Sequence, residues 1–268
     1  MDQLRLRFLG EISIKLRDQE LEDQLPGKAV ALLTYLAVTG AAQTRSALAC
    51  LLWSDFPEHR ARGNLRDTLA LLRRTPLAPY LHIERRVISF NSDAPYWLDT
   101  AEFQKGVGEN VEDPSALKAA VALYQGEFMA GFTVPKAALF EEWLAVQRQN
   151  MHQSAVETLG RLVDCYLDAG DYEAGIAHAQ RLLLLDPWRE EAYRNLMLLH
   201  LLNGDHNAAL RQYEKCRGIL DEELGVAPSR ETQTLYYNIR KQLDDQIAAD
   251  GVPDNSFPTA PVPHNIPG

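Results

Sequence analysis

The segment Gly170-Asp171-Tyr172-Glu173-Ala174 returns 34 residues later as Gly204-Asp205-His206-Asn207-Ala208. Leu162 and Leu196, Leu167 and Leu201, and Ile176 and Leu210 keep the same step. A fixed period of roughly 20–50 residues constrains a chain more tightly than any local propensity does. One helix-turn-helix unit cannot bury its apolar stripe alone, so each unit must lay that stripe against the next. The second half of the chain is therefore expected to be a stack of helix pairs. Any other chemistry falls to the first half.

Apolar periodicity fills in that stack. Residues 116–124, 138–167, 174–185, 190–202, 208–224 and 229–243 read as helices, with breaks at Gly170-Asp171, Asp186-Pro187 and Gly204-Asp205. Ser229, after Pro228, is the expected N-cap of the last helix. The period resembles that of the tetratricopeptide repeat, in a degenerate form limited to two or three units. Val163 and Met197 stand where that repeat prefers Gly, and Gly175 where it prefers Ala. Trp143, Trp188, Tyr166, Tyr172, Tyr193 and Tyr213 lie among leucines and are expected in the core, not in a ligand site. His200 and His206 are six apart, a poor spacing for one helix face, so no metal is expected. Beyond Asp245 come Gly251 and the prolines 253, 258, 261, 263 and 267, with little left to bury. Residues 246–268 read as a disordered Pro-rich tail or linker.

The 268 residues suit about two domains. The densest apolar run, Ala29 to Val38, falls well short of the ~18 residues that suggest a membrane helix. The amino terminus opens directly into alternating residues, without the apolar core of a secretion signal. Cys50, Cys165 and Cys216 are scattered and odd in number, which reads as buried structural thiols in a reducing cytoplasm. The net charge of −10 is unevenly placed. Residues 1–98 carry 13 Lys and Arg against 11 Asp and Glu, for +2, whereas residues 99–268 carry 14 against 26, for −12. Acidity of the whole does not exclude nucleic acid, because the charge facing phosphate need only be local.

The first hundred residues have a different pattern. Leu4, Leu6 and Phe8 alternate with Arg5 and Arg7, Gly10 breaks the run, and Ile12, Ile14 and Leu16 alternate again. Asp18-Gln19-Glu20 reads as a turn into a short third strand around Leu21, completing a small antiparallel sheet. Three helices follow: 28–38, then 45–53 with Thr44 as N-cap, then about 58–74. Advancing ~100° per residue along the third gathers Ala61, Leu65, Thr68, Leu69 and Leu72 into a core stripe. Its outer face holds Arg66, Asp67, Ala70, Gly63 and Arg74, flanked by Arg62 and Arg73 on one side and Arg60 and Asn64 on the other. Five arginines against Glu58 and Asp67 make this helix basic. Residues 81–90 then read as a hairpin with Glu84-Arg85-Arg86 at its turn. Sheet, three helices and an arginine-tipped hairpin is the order of a winged helix-turn-helix, whose third helix enters the major groove.

Gly27-Lys28, Leu51-Leu52-Trp53-Ser54-Asp55, Ala61-Arg62-Gly63-Asn64-Leu65-Arg66 with Leu69, Leu72 and Arg73-Arg74, and Asp99-Thr100-Ala101-Glu102-Phe103 resemble one family. It is the antibiotic-regulatory-protein (SARP) type of bacterial transcriptional regulator. The resemblance covers about residues 3–243, since the helical half, through Leu220-Asp221-Glu222-Glu223-Leu224-Gly225-Val226-Ala227-Pro228-Ser229-Arg230-Glu231, is similar to the bacterial transcriptional activator domain. It implies an α+β fold: an OmpR/PhoB-type winged helix over 1–98, then an all-α tetratricopeptide-like domain over 99–245. The wing departs from the Gly-Tyr step of many members, reading Glu84-Arg85-Arg86-Val87-Ile88-Ser89. The resemblance further implies two protomers side by side on direct repeats of promoter DNA, and contacts to RNA polymerase.

The expected function is a sequence-specific, DNA-binding transcription regulator of the activator kind. Arg60, Arg62, Asn64 and Arg66 are the candidates for reading bases, because Arg pairs with guanine and Asn with adenine. Arg73 and Arg74 near the helix end, with Lys28, Arg45, Arg85 and Arg86, are candidates for phosphate. The alternative is a repeat-based interaction adaptor that binds no DNA. An enzyme is not expected: the sequence holds no phosphate-cradling Gly loop, no HExxH, no paired CxxC and no nucleophile elbow. No cofactor is implied, and no membrane partner.

Overall fold

The computed structural model describes residues 3–17, 19–108, 111 and 113–250. The chain divides into two compact units, between Cys165 and Tyr166. Among the described residues no helix is long and apolar enough to cross a membrane.

The first unit opens with β1 (Leu4–Arg7), β2 (Ser13–Leu16) and β3 (Gln19–Glu20). β1 and β2 are antiparallel with Leu6 opposite Ile14, and both side chains are fully buried. Period-two alternation puts Arg5 and Arg7 on the other face, where their guanidinium groups lie 5.3 and 6.0 Å from the Trp97 ring. The expected third strand falls on Gln19–Glu20, with Leu21 buried just after it. Asp18, at the expected turn, lies outside the described residues. Next come α1 (Gly27–Thr39), β4 (Gln43–Thr44), α2 (Arg45–Leu52) and α3 (Glu58–Leu72). α1 buries Ala29 through Thr34 without a break, as its continuous apolar run demands. The Thr44 hydroxyl caps α2 by accepting from the Ala47 N–H at 3.1 Å. α3 buries Ala61, Leu65, Leu69 and Leu72 on one stripe.

The hairpin is β5 (Leu81–Ile83) and β6 (Val87–Phe90). β4 adds a third strand to it, pairing Gln43 with Ile88 and Thr44 with Val87. β7 (Tyr96–Leu98) then runs parallel to β1 at the edge of the first sheet, giving the order β3-β2-β1-β7. Neither addition was legible locally. Two- and three-residue strands exist only through their distant partners, and the first sheet is mixed, not purely antiparallel.

α4 (Asp99–Gly106), α5 (Pro114–Leu123) and α6 (Ala138–Ala169) follow. β7 gives way to α4 at 98/99, where a domain boundary was expected, while packing divides the chain at 165/166. Residues 99–165 share the core of the first unit for identifiable reasons. The Asp99 carboxylate accepts from the N–H groups of Phe8 and Leu9 at 2.7 and 2.8 Å. Met129 N–H donates to Phe8 C=O at 2.6 Å. Trp143 of α6 packs edge-on to Tyr35 of α1 and to Phe128, with centroids 5.0 and 6.0 Å apart.

α4 and α5 touch without room to spare: a Cβ built on Gly106 would lie 2.6 Å from the Ala120 Cβ. Both atoms would be fixed by backbone, so the helices must part to admit a methyl. Gly106→Ala is expected to lower stability by about 1–3 kcal/mol, read as a lower urea midpoint. An unchanged midpoint would show that the two helices separate freely.

The second unit contains α7 (Tyr172–Leu185), α8 (Glu190–Leu202), α9 (His206–Leu224) and α10 (Arg230–Asp250). The 34-residue period is visible bond by bond. Gly170 and Gly204 have φ of 74° and 82°, the left-handed backbone that glycine takes without strain. Their N–H groups donate to Leu167 and Leu201, and the next N–H groups, of Asp171 and Asp205, reach back to Tyr166 and His200. That pair of bonds ends each helix in a Schellman motif. The same aspartates then cap the following helix, accepting from Ala174 and Ala208 N–H at 3.3 and 2.8 Å. At Gly175, where the repeat usually has Ala, a built Cβ would meet Leu199 Cδ2 at 2.6 Å and Tyr166 Cβ at 3.3 Å.

α10 closes the stack by burying Ile239 against Met197, Ala209 and Tyr213. Its start is fixed to α8 by Glu190. That carboxylate accepts from Ser229 N–H, Ser229 Oγ and Thr232 Oγ1 at 2.9, 2.8 and 2.7 Å. Burial alone would raise the Glu190 carboxyl, but these bonds and Arg194 outweigh it and hold it below its ordinary value. The helix runs to Asp250, past the tail boundary expected at 245. The remainder of the expected tail, 251–268, lies outside the described residues.

Two expectations about burial need correction. Cys50 is exposed, because α2 turns Leu48, Ala49 and Leu52 inward and leaves Cys50 facing out. Cys165 is half-buried, and only Cys216 is fully enclosed, where burial pushes its thiol to about 11. Trp188 is 52% exposed, since it sits in the turn before α8 and not on a helix stripe. Tyr193 and Tyr213 are buried as expected.

Candidate nucleic-acid interface

α2, α3 and the wing hairpin meet around a concavity of about 370 Å3 lined by Thr44, Arg45, Ser46, Arg62, Leu65, Arg85 and Arg86. Leu65 belongs to the buried stripe of α3, so the basic rim stands directly on the core. Four of the candidate arginines, from three elements separated in sequence, thus share one hollow.

Arg62 reaches across from α3 to the start of α2, donating to Ser46 Oγ at 3.0 Å while pairing with Glu58 at 2.7 Å. An exposed pair at i,i+4 is worth only about 0.3–0.5 kcal/mol, so it orients the guanidinium without withholding it from a phosphate or a base. Arg66, 76% exposed, approaches Asp67 at 3.5 Å. Asn64 is half-buried, and its main-chain carbonyl accepts from Thr68 Oγ1. Arg60 lies over the Phe56 ring at 5.1 Å, at the first turn of α3.

Arg73 and Arg74 follow the last residue of α3 and are exposed. Arg73 donates to the Ile83 carbonyl at 3.2 Å. Arg45 donates through Nε and a terminal nitrogen to the Glu84 carbonyl at 3.2 and 2.9 Å. Its own N–H reaches Arg86 C=O at 3.2 Å. Arg85 and Arg86 are exposed at the turn.

Lys28 is placed differently from the other candidates. It is half-buried, and its ammonium donates to the carbonyls of Leu52 and Lys136, the latter at 3.0 Å, while lying 5.6 Å from the Trp53 ring. Burial lowers its pKa, against the opposing pull of Asp55 and Glu141. It does not line the arginine hollow. Ser46, not among the expected residues, also lines the hollow, exposed at the second position of α2 and bonded to Arg62. Its one sequence signal is its place just after the Thr44 cap.

Among the described residues no group of three or more His, Cys, Asp and Glu side chains could hold a metal ion.

Comparison with known proteins bears on both halves. The family model of the bacterial transcriptional activator domain matches residues 99–240. Transcriptional regulatory protein MoaR1 of Mycobacterium tuberculosis is 24% identical over 257 residues, spanning 91% of this chain and 82% of MoaR1. Regulatory protein AfsR of Streptomyces coelicolor is 26% identical over 254 residues, spanning 91% of this chain but 25% of AfsR. The structure of Mycobacterium tuberculosis EmbR in complex with a low-affinity phosphopeptide matches with a TM-score of 0.64 at 18% identity, over 94% of this chain and 70% of that one. At that identity the likeness concerns the fold, a winged helix-turn-helix followed by a tetratricopeptide-like helical region. The family match spans more than half of the sequence, and the chain belongs to the bacterial transcriptional activator domain family, among the SARP-type transcriptional regulators.

Proposed function

We propose that this regulator binds duplex DNA sequence-specifically and activates transcription, with α3 in the major groove and the wing on the adjacent backbone or minor groove. The observation that carries the reading is the hollow in which Arg62 of α3 and Arg85 and Arg86 of the wing converge. Guanidinium groups suit both tasks, pairing with guanine edges and with phosphate oxygens. Arg62, Asn64 and Arg66 are the base readers in this arrangement, with Arg60, Arg74, Arg85 and Arg86 on the backbone.

The helical region serves protein contacts, with a second protomer on adjacent DNA repeats or with RNA polymerase. Its charge supports that division of labour: residues 99–268 carry −12, which repels DNA at any surface closer than a Debye length of roughly 8 Å.

Titration of promoter and random duplexes at rising salt tests the reading. The logarithm of affinity is expected to fall with the logarithm of salt by about 0.9 per neutralised phosphate, and promoter duplex is expected to outcompete random duplex. Absence of affinity for either duplex at low salt would sink it and favour the interaction adaptor.

A further inference from the structure

The wing is held from both ends of the helix-turn-helix. At the start of α2, Arg45 makes three bonds to the wing turn: its N–H to Arg86 C=O, and two guanidinium nitrogens to Glu84 C=O. After the end of α3, Arg73 donates to Ile83 C=O, one residue before Glu84. The turn itself is closed by Glu84 N–H to Val87 C=O at 3.0 Å, and β4 pairs with the far strand of the hairpin. Both guanidinium groups therefore point at carbonyls of the hairpin, not away from the protein. A three-residue hairpin tip without such bonds would swing, because its strands are only three and four residues long.

We propose that Arg45 and Arg73 are positioning residues that fix the wing against α2 and α3, so that Arg85 and Arg86 meet the duplex at a set distance from the base-reading face. This rests on the DNA-binding reading above, and it takes these two arginines out of the phosphate-contacting set. Rigid placement makes the wing and recognition helix bind as one body. The ordering entropy of the tip is then lost on folding and not on binding.

The test compares Arg45→Ala, Arg45→Lys, Arg73→Ala and Arg85→Ala in the full chain. Two readouts are taken: amide exchange of residues 83–87 in the free protein, and affinity for the promoter duplex across salt. A lysine keeps the charge but cannot span the turn with a planar fork. Arg45→Ala and Arg45→Lys are both expected to speed exchange of the Glu84 amide, which donates to Val87 C=O, at least about tenfold and to weaken binding about tenfold, with a smaller effect of the same kind from Arg73→Ala. Arg85→Ala is expected to reduce the salt slope by about one and to leave exchange unchanged. Wild-type exchange in Arg45→Ala, or wild-type affinity in Arg45→Lys, overturns the positioning role while leaving DNA binding intact. A wild-type chain that binds no duplex overturns the DNA reading and the role together.

Discussion

The double variant Arg62→Ala/Arg66→Ala is expected to shift no promoter duplex at concentrations where the wild-type chain is saturated. The two residues are four apart on α3, and their side chains are 56% and 76% exposed beside the basic hollow. A bidentate contact from Arg to a base is worth about 1–3 kcal/mol of discrimination, so losing two weakens binding on the order of 10²–10⁴-fold. The fold is expected to survive. Arg62 gives up an exposed pair with Glu58 and one bond to Ser46, and Arg66 only a loose approach to Asp67. Together these amount to about 1 kcal/mol or less. Circular dichroism melts alongside the mobility shift separate the two effects. Unaltered binding with an intact melt would remove α3 from the mechanism.

The second large effect is expected far from the arginines, at Asp99. This carboxylate is 2% exposed and accepts from three backbone N–H groups, those of Phe8, Leu9 and Thr100, at 2.7, 2.8 and 2.7 Å. It joins the end of β1 to the start of α4, and so ties the winged helix to the family domain. Asp99→Ala leaves three buried donors unmet. At about 1–3 kcal/mol for each unsatisfied group, even partial relaxation leaves a loss on the order of 4 kcal/mol, a large share of the 5–15 kcal/mol typical of a folded domain.

Urea unfolding followed by tryptophan fluorescence in a Trp188→Phe background measures this within the first unit, where Trp53, Trp97 and Trp143 lie. A loss below about 1 kcal/mol would mean that the three donors find other acceptors. The pH dependence has a definite sign. Burial raises the Asp99 carboxyl above its ordinary value, against the hydrogen bonds from Leu9, Phe8 and Thr100 and the charge of Arg7. The folded state therefore holds its proton more tightly than the unfolded chain. That contribution is complete below the unfolded value near 3.8 and is lost as pH rises through the raised folded value, so the gap between wild type and Asp99→Ala narrows over that window.

Much of this was legible before any coordinates. The stripe Ala61, Leu65, Leu69 and Leu72, the Thr44 cap and the hairpin with Arg85 and Arg86 at its turn are local patterns, and local physics enforces them. The repeat was legible for the same reason: Gly170-Asp171 and Gly204-Asp205 each end one helix and start the next with bonds reaching no more than five residues. α4, β4 and β7 were not read from the pattern. Each is short, with two to eight residues, and the two strands exist by pairing with chain far away. The surroundings of Lys28 were not legible either, because an ammonium suits a phosphate and a carbonyl equally well and only the fold supplies Leu52 and Lys136.

By itself, then, the sequence determined the repeat, the order of elements and which helix carries the basic face, since periodicity and turn chemistry act within a few residues. Only the tertiary structure decided which arginines face outward and which hold the wing. A guanidinium goes where acceptors are, and the carbonyls of Ile83 and Glu84 come within reach of Arg73 and Arg45 only once the hairpin has folded back on the helices.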